Sequence, residues 1–184
     1  MSIYQDLSDF ELWEIFRAGD KNPLEFLYLR HYDLLLNYGL KFIKDEELVK
    51  DAIHDLFVKL YIKQKIDSTI SVRAYLLKSL RNLLYDMLNT FHEISIEQIE
   101  YEFSIVDAEI ENLYKKSDID VVRSKKLINA LAKLNGNQKM ILYLRYIKEL
   151  SYKEIAEILN INEQSSMNLV FRTLKKIRKF MLFF

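Results

Sequence analysis

The sequence contains no cysteine, one proline and three glycines among its 184 residues. Without cysteine there is neither a disulfide framework nor a thiolate metal site. So few backbone breakers, beside abundant Leu, Ile, Lys and Glu, predict an all-α protein. There are only three histidines, His31, His54 and His92. No two of them have the spacing of a metal-ligand pair on one helix, so all three read as structural or surface residues. A glycine-rich phosphate loop and a nucleophile motif are both missing, and no carboxylate sits in an evident apolar pocket. The expectation is a protein that is not an enzyme and needs no metal or cofactor. No apolar run approaches the roughly 20 residues that span a bilayer. The start "MSIYQDLSDF" lacks the basic and apolar parts of a secretory signal. A cytoplasmic protein without membrane insertion is therefore expected.

What the chain does have is apolar residues at 50% and an uneven charge distribution inside a net charge of zero. Residues 91–120 hold nine acids and two bases, a net of −7. Residues 170–184 hold five bases and no acid, a net of +5. A partner feels such local fields more than the total. The acidic stretch reads as an extended linker between two helical blocks. The expected organisation is a helical bundle over 1–90, a linker over 91–120 and a second helical domain over 121–184.

Local signals place the helices. Ser8 and Glu11 form a capping box for a first helix that ends near Gly19. Asn22, Pro23 and Glu25 supply a cap, a proline at the first helical position and an acid at the third. The second helix then runs through "LEFLYLRHYDLLLNYGLKFI", with Gly39 inside it for close helix packing. A third begins near Asp45, with Val49, Ile53, Leu56, Phe57, Leu60 and Tyr61 on one buried face. Asp51, His54, Asp55 and Lys59 fall off that stripe and are expected at the surface. "DSTIS" (67–71) reads as a loop, and Ser71 caps a fourth helix, "VRAYLLKSLRNLLYDMLN". Lys78, Arg81, Asn82, Tyr85 and Asp86 lie on that helix. Tyr75 and Tyr85 are candidates to stack on an unpaired base, although Tyr75 alternates with leucines and reads better as core. A second helical block starts near Asp118, breaks at Asn135-Gly136 and resumes in "NQKMILYLRYIK". The terminal "FMLFF" (180–184) reads as a cap on the second domain's own core.

"SYKEIAEILNINEQSSMNL" (151–169) has the outline of two short helices and a tight turn. Ser151 and Glu154 form a capping box; Ile155, Ile158 and Leu159 give the first helix an apolar face. Asn160 and Asn162 suit the turn, Ile161 is expected to plug its corner, and Asn162 to cap the next helix. That helix is expected to bury Met167, Val170, Phe171 and Leu174. Glu163, Gln164, Ser165, Asn168 and Arg172 would face outward, where short polar groups can read base edges in a major groove. The pattern alone leaves an ordinary helical hairpin and a DNA-reading element both open.

Taken together, the two blocks, the linker and the closing motif resemble the extracytoplasmic-function group of bacterial sigma factors, over nearly the whole chain. "DAIHDLFVKLY" (51–61) is similar to the family's segment that binds the clamp helices of RNA polymerase. "VRAYLLKSLRNLLYDML" (72–88) is similar to the segment that melts and reads the proximal promoter element. "LYLRYIKELSYKEIAEILNINEQSSMNLVFRTLKKIR" (142–178) resembles the domain that reads the upstream element. The resemblance implies a transcription initiation factor whose partners are core RNA polymerase, promoter DNA and an anti-sigma factor. It implies polymerase contacts at Asp51, His54 and Asp55. Loop residues Asp67, Ser68, Thr69 and Ser71 would hold a flipped base, with Lys78, Arg81, Asn82 and Asp86 beside the melted strand. Arg145, Gln164, Ser165, Asn168, Phe171, Arg172 and Lys175 would meet the upstream element. Three positions depart from the family's habit: His54 for glutamine, Tyr75 for tryptophan, and Ser166-Met167 for a small apolar residue followed by a basic one. Two other readings stay open on the residues themselves, a stand-alone helix-turn-helix regulator and a helical protein-interaction module.

Overall fold

The structure, a computed structural model, describes residues 3–63, 71–92 and 118–182. These residues are helical with no strand among them, as expected. The expected loop residues Asp67, Ser68 and Thr69, most of the acidic stretch, and Phe183 and Phe184 lie outside the described residues. The chain divides into two compact units, Met1–Ile96 and Glu97–Phe184.

The first unit contains α1 (Asp9–Arg17), α2 (Pro23–Gly39), α3 (Glu46–Ile62) and α4 (Val72–His92). Ser8 caps α1: the Glu11 amide donates to its hydroxyl, and its own amide donates to the Glu11 carboxylate at 2.7 Å. The Ser8 hydroxyl and then the Ser8 amide, both donating to it, hold the Glu11 carboxyl below its usual range. The chain leaves α1 at Gly19, whose φ of +112° is cheap only for glycine. At α2 the expected cap is replaced. Asn22 has helical dihedrals and makes no side-chain cap bond; Asp20 accepts from its amide at 3.0 Å instead. Proline at the first turn leaves fewer amides to cap, so the asparagine is not needed for that task. Asp45 caps α3 by accepting from the amides of Glu47 and Leu48, and Ser71 accepts from Ala74 at the start of α4.

These helices close on Leu12, Trp13 and Phe16 of α1, Leu27, Leu35 and Tyr38 of α2, Val49, Ile53 and Leu56 of α3, and Leu76, Leu77 and Leu80 of α4, all buried. Gly39 is where α2 and α3 meet most tightly: a Cβ there would lie 2.4 Å from Val49 Cγ1. Tyr75 joins the core rim by packing its ring 4.9 Å from that of Trp13. Tyr61 departs from expectation. It is 61% exposed, because it falls on the outward side of α3 with Val58 and Ile62 while Leu60 faces the core.

The second unit contains α5 (Asp118–Ala132), α6 (Gly136–Leu142), α7 (Tyr152–Leu159) and α8 (Glu163–Leu182). Asn135 and Gln138 form the capping box of α6. The helix then widens into a π-helical turn, Tyr143–Ile147. It ends at Glu149, a non-glycine residue with φ +54°. α8 packs against α5, α6 and α7 in turn. Its far end joins a cluster of Ala130, Leu131, Leu134, Leu142 and Ile177, with Phe180 and Met181 packed against it. The part of "FMLFF" that is described thus caps its own core.

Candidate nucleic-acid interface

The polar candidates of the second unit converge on α8. Ser151 caps α7 through a reciprocal box with Glu154. Asn160 closes α7 in the left-handed conformation, φ +55° and ψ +45°, which asparagine tolerates better than most residues. Asn162 then accepts from the Ser165 amide at 2.7 Å, starting α8. The two helices cross at Ser166, fully buried, whose hydroxyl reaches the carbonyls of Tyr152 and Glu163, each at 2.8 Å. This is a helix-turn-helix held at its corner by a hydroxyl.

The register of α8 corrects two expectations. Its buried stripe is Ser166, Val170, Thr173 and Ile177. Met167, Phe171 and Leu174 are exposed at 41%, 67% and 40%. Apolar residues fall on two sides of this helix, and spacing alone does not say which side α7 covers. Two small polar residues, Ser166 and Thr173, lie on the covered side because each hydroxyl bonds a main-chain carbonyl, that of Thr173 reaching Leu169 at 2.7 Å. Ile161 does not plug the turn either; it is 37% exposed.

Opposite the buried stripe, Gln164, Asn168, Arg172, Lys175 and Lys179 are exposed, and Ser165 lies half-buried at the edge. The Gln164 side-chain amide donates to Asn168 Oδ1 at 3.2 Å, so the two amides form one prearranged unit. Arg145 is not on this face. It lies half-buried in the π-helical turn, with Nη1 donating to Leu150 O at 2.8 Å and its guanidinium 4.7 Å from the Tyr152 ring centre. It ties the entry of α7 to the preceding helix.

In the first unit, Asp51, His54 and Asp55 are exposed along one edge of α3, with Lys59 below them. On α4, Asn82 and Asp86 are exposed while Lys78 and Arg81 are half-buried. Tyr85 is only 3% exposed. Its ring meets Phe42 edge-on and lies under the Arg81 guanidinium at 4.5 Å, so it belongs to the core rather than to a base-stacking platform. The sequence reading missed an apolar groove beside His54. It has a volume of about 380 Å³ and runs between Leu24 and Tyr28 of α2 and Phe57, Val58, Tyr61 and Ile62 of α3. The signal was available in principle, since Val58 and Ile62 are apolar residues on the outward side of α3.

An all-helical chain that carries a four-helix bundle in one unit and a capped helix-turn-helix in the other has the build of a DNA-reading transcription protein. Comparison with known proteins makes this specific. Residues 27–90 match the Sigma-70 region 2 family and residues 124–177 match Sigma-70, region 4. The RNA polymerase sigma factor YlaC of Bacillus subtilis (strain 168) is 30% identical over 76% of this chain and 80% of its own length. The ECF RNA polymerase sigma factor SigM of the same organism is 22% identical over 83% of this chain and 91% of its own. Among solved structures, CnrH, determined in complex with the cytosolic domain of CnrY, matches with a TM-score of 0.59 and 19% identity. That match covers 94% of this chain and 96% of the other. The chain belongs to the extracytoplasmic-function group of the sigma-70 family. It is a transcription initiation factor, of a family that works with core RNA polymerase on promoter DNA. This holds over the readings as a stand-alone regulator or an interaction module. Among the described residues no helix is long and apolar enough to cross a membrane.

Proposed function

We propose that the two units divide the work of initiation, with 1–90 binding polymerase and the proximal element, 121–184 binding the upstream element, and 91–120 linking them. The outward edge of α3, with Asp51, His54 and Asp55, docks on polymerase. Residues 67–71 receive an unpaired base, and Lys78, Arg81, Asn82 and Asp86 lie along the melted strand. Extracting a base costs a few kcal/mol, least where the strand is already unpaired, and contacts to the captured base offset it. Gln164, Ser165, Asn168, Phe171, Arg172 and Lys175 meet the upstream duplex; Arg145, first expected among them, acts instead by holding the entry of α7 through Leu150 O and the Tyr152 ring. The observation that carries this reading is the free polar face of α8, turned away from α7 and bordered by cations.

On this reading the protein is a cytoplasmic subunit and not a catalyst. The acidic stretch mimics a phosphate chain inside a basic polymerase channel; replacing Glu97, Glu100 and Glu102 with glutamine then weakens initiation. Because CnrH was solved with the cytosolic domain of CnrY, the proposal extends to an anti-sigma partner for this chain. The test of the whole reading is run-off transcription with purified core polymerase and genomic promoter fragments. Discrete promoter-dependent transcripts are expected. The absence of both a transcript and a complex with core would overturn it.

A further inference from the structure

The exposed arc of α8 is split lengthwise. One half carries Gln164, Asn168, Arg172 and Lys175. The other carries Met167, Phe171 and Leu174, spaced i, i+4 and i+7 on one side of the helix and exposed at 41%, 67% and 40%. Three large apolar side chains in a row on a recognition helix need an apolar cover when the helix is at work. The proposed function places that helix in a major groove, and the inference rests on that placement. The one apolar group a major groove offers is the thymine C5-methyl.

We infer that the Met167–Phe171–Leu174 stripe reads thymine methyl groups, and that the upstream element therefore carries A·T pairs at the positions the stripe covers. Two features of the same helix agree. Gln164 and Asn168 are the side chains that pair with adenine N6 and N7, so the polar half reads one partner of an A·T pair and the apolar half the other. Arg178 follows Leu174 by four residues and continues the apolar stripe toward the C-terminus, exposed like Lys175. Cations at the C-terminal end and polar flank of the stripe match phosphate walls, and the one acid beside it, Glu163, lies a turn before Met167 at the start of the helix. Met167 and Phe171 are about 6 Å apart along the helix. That is the span of roughly two base-pair steps.

The experiment uses the full chain with core polymerase on promoter fragments whose upstream segment is randomised. Transcribed fragments are expected to be enriched in A·T, with thymine recurring at two or more positions of one strand or the other. A selected promoter is then made with deoxyuridine at those positions, which removes only the methyl group. Open-complex formation is expected to fall about fourfold for each methyl lost, the equivalent of one buried carbon. The Met167→Ala/Phe171→Ala variant is expected to treat thymine and deoxyuridine alike. Equal use of the two bases by the unaltered protein, with transcription intact, overturns the inference and leaves the proposed function standing. So does enrichment of G·C pairs at every position of the upstream segment, with none where thymine recurs. If the variant assembles less well with core but the complexes that form keep the thymine preference, the stripe belongs to a protein interface and the inference fails. Absence of any promoter-dependent transcript overturns the proposed function itself, and the inference with it.

Discussion

Ser166 Oγ lies 2.8 Å from the carbonyl oxygen of Tyr152, fourteen residues earlier, and joins the two helices of the DNA-reading motif through a single hydroxyl. Ser166 is fully buried. Replacing it by alanine keeps the close approach and removes the bond. A loss of about 1 kcal/mol is expected. Leucine at the same site is expected to cost about 1–3 kcal/mol by overpacking. Hydrogen exchange of the α7 and α8 amides measures both locally. A Ser166→Leu variant as protected as the parent would mean that the corner is looser than its geometry shows.

Gly39 and Val49 make the corresponding contact in the first unit. Glycine to alanine in a helix usually gains up to about 1 kcal/mol. Here the new Cβ would meet Val49 Cγ1 at 2.4 Å, and valine is stiff about χ1. Gly39→Ala is therefore expected to destabilise, by about 1–3 kcal/mol, and Val49→Ala to relieve part of that loss. Trp13 is the only tryptophan and is fully buried in this unit. Its fluorescence during urea unfolding reports the first unit alone. Strict additivity of the two substitutions would refute the contact.

A pH effect follows from His31. Its ring is 6% exposed. Nε2 comes within 2.8 Å of Asp9 Oδ2, off the line of a good hydrogen bond. Burial pushes the imidazole below its ordinary value of 6.5, Asp9 pulls it back in part, and Arg73 and Arg30 oppose protonation further. The unfolded chain thus binds the proton more readily than the folded one. Stability from this group is complete above pH 6.5 and is lost as pH falls below it, toward the folded pKa. Trp13-monitored unfolding is expected to show a steeper loss between pH 7.5 and 5.5 in the parent than in His31→Gln. Parallel profiles would mean that Asp9 fully compensates the burial.

The parts legible in the sequence are those fixed by local chemistry. Ser8 with Glu11 and Ser151 with Glu154 act within one helical turn, and the structure shows both boxes closed. Asn162 likewise caps α8 as its neighbours suggest. The misses arise where a tertiary contact chooses between local options. Helical spacing allowed Met167–Phe171–Leu174 or Ser166–Val170–Thr173–Ile177 as the buried stripe of α8. Hydrophobicity favours the first set, whereas hydroxyl-to-carbonyl bonds and close helix approach selected the second. Tyr85 was misjudged for the opposite reason. An aromatic ring beside an arginine looks like a base-stacking platform, yet Phe42, distant in sequence, covers it.

Arg145 separates a supporting role from a DNA-contacting one. Its guanidinium is engaged by Leu150 O and the Tyr152 ring. Arg145→Ala is expected to lower protection of the α7 amides by about 1–2 kcal/mol in the absence of DNA. Arg145→Lys keeps the charge but loses the planar fork, and is expected to behave like the alanine variant. A lysine variant that keeps promoter use, beside an alanine variant that loses it with α7 protection intact, would instead assign the charge to phosphate.

Lys175 and Asn168 both lie on the free face of α8, two turns apart, but make opposite demands on DNA. A lysine there neutralises a phosphate and carries no sequence information. Lys175→Gln is expected to weaken holoenzyme binding to all promoters alike and to reduce the slope of log affinity against log salt by about one. Asn168, already joined to Gln164 at 3.2 Å, presents an amide suited to adenine. Asn168→Ala is expected to cost about 1–3 kcal/mol on the preferred promoter and little on promoters altered at the base it reads, with the salt slope unchanged. Binding of the reconstituted holoenzyme across a salt series, on the preferred and altered promoters, distinguishes the two residues. If Asn168→Ala weakens every promoter equally, the amide pair positions α8 rather than reading a base.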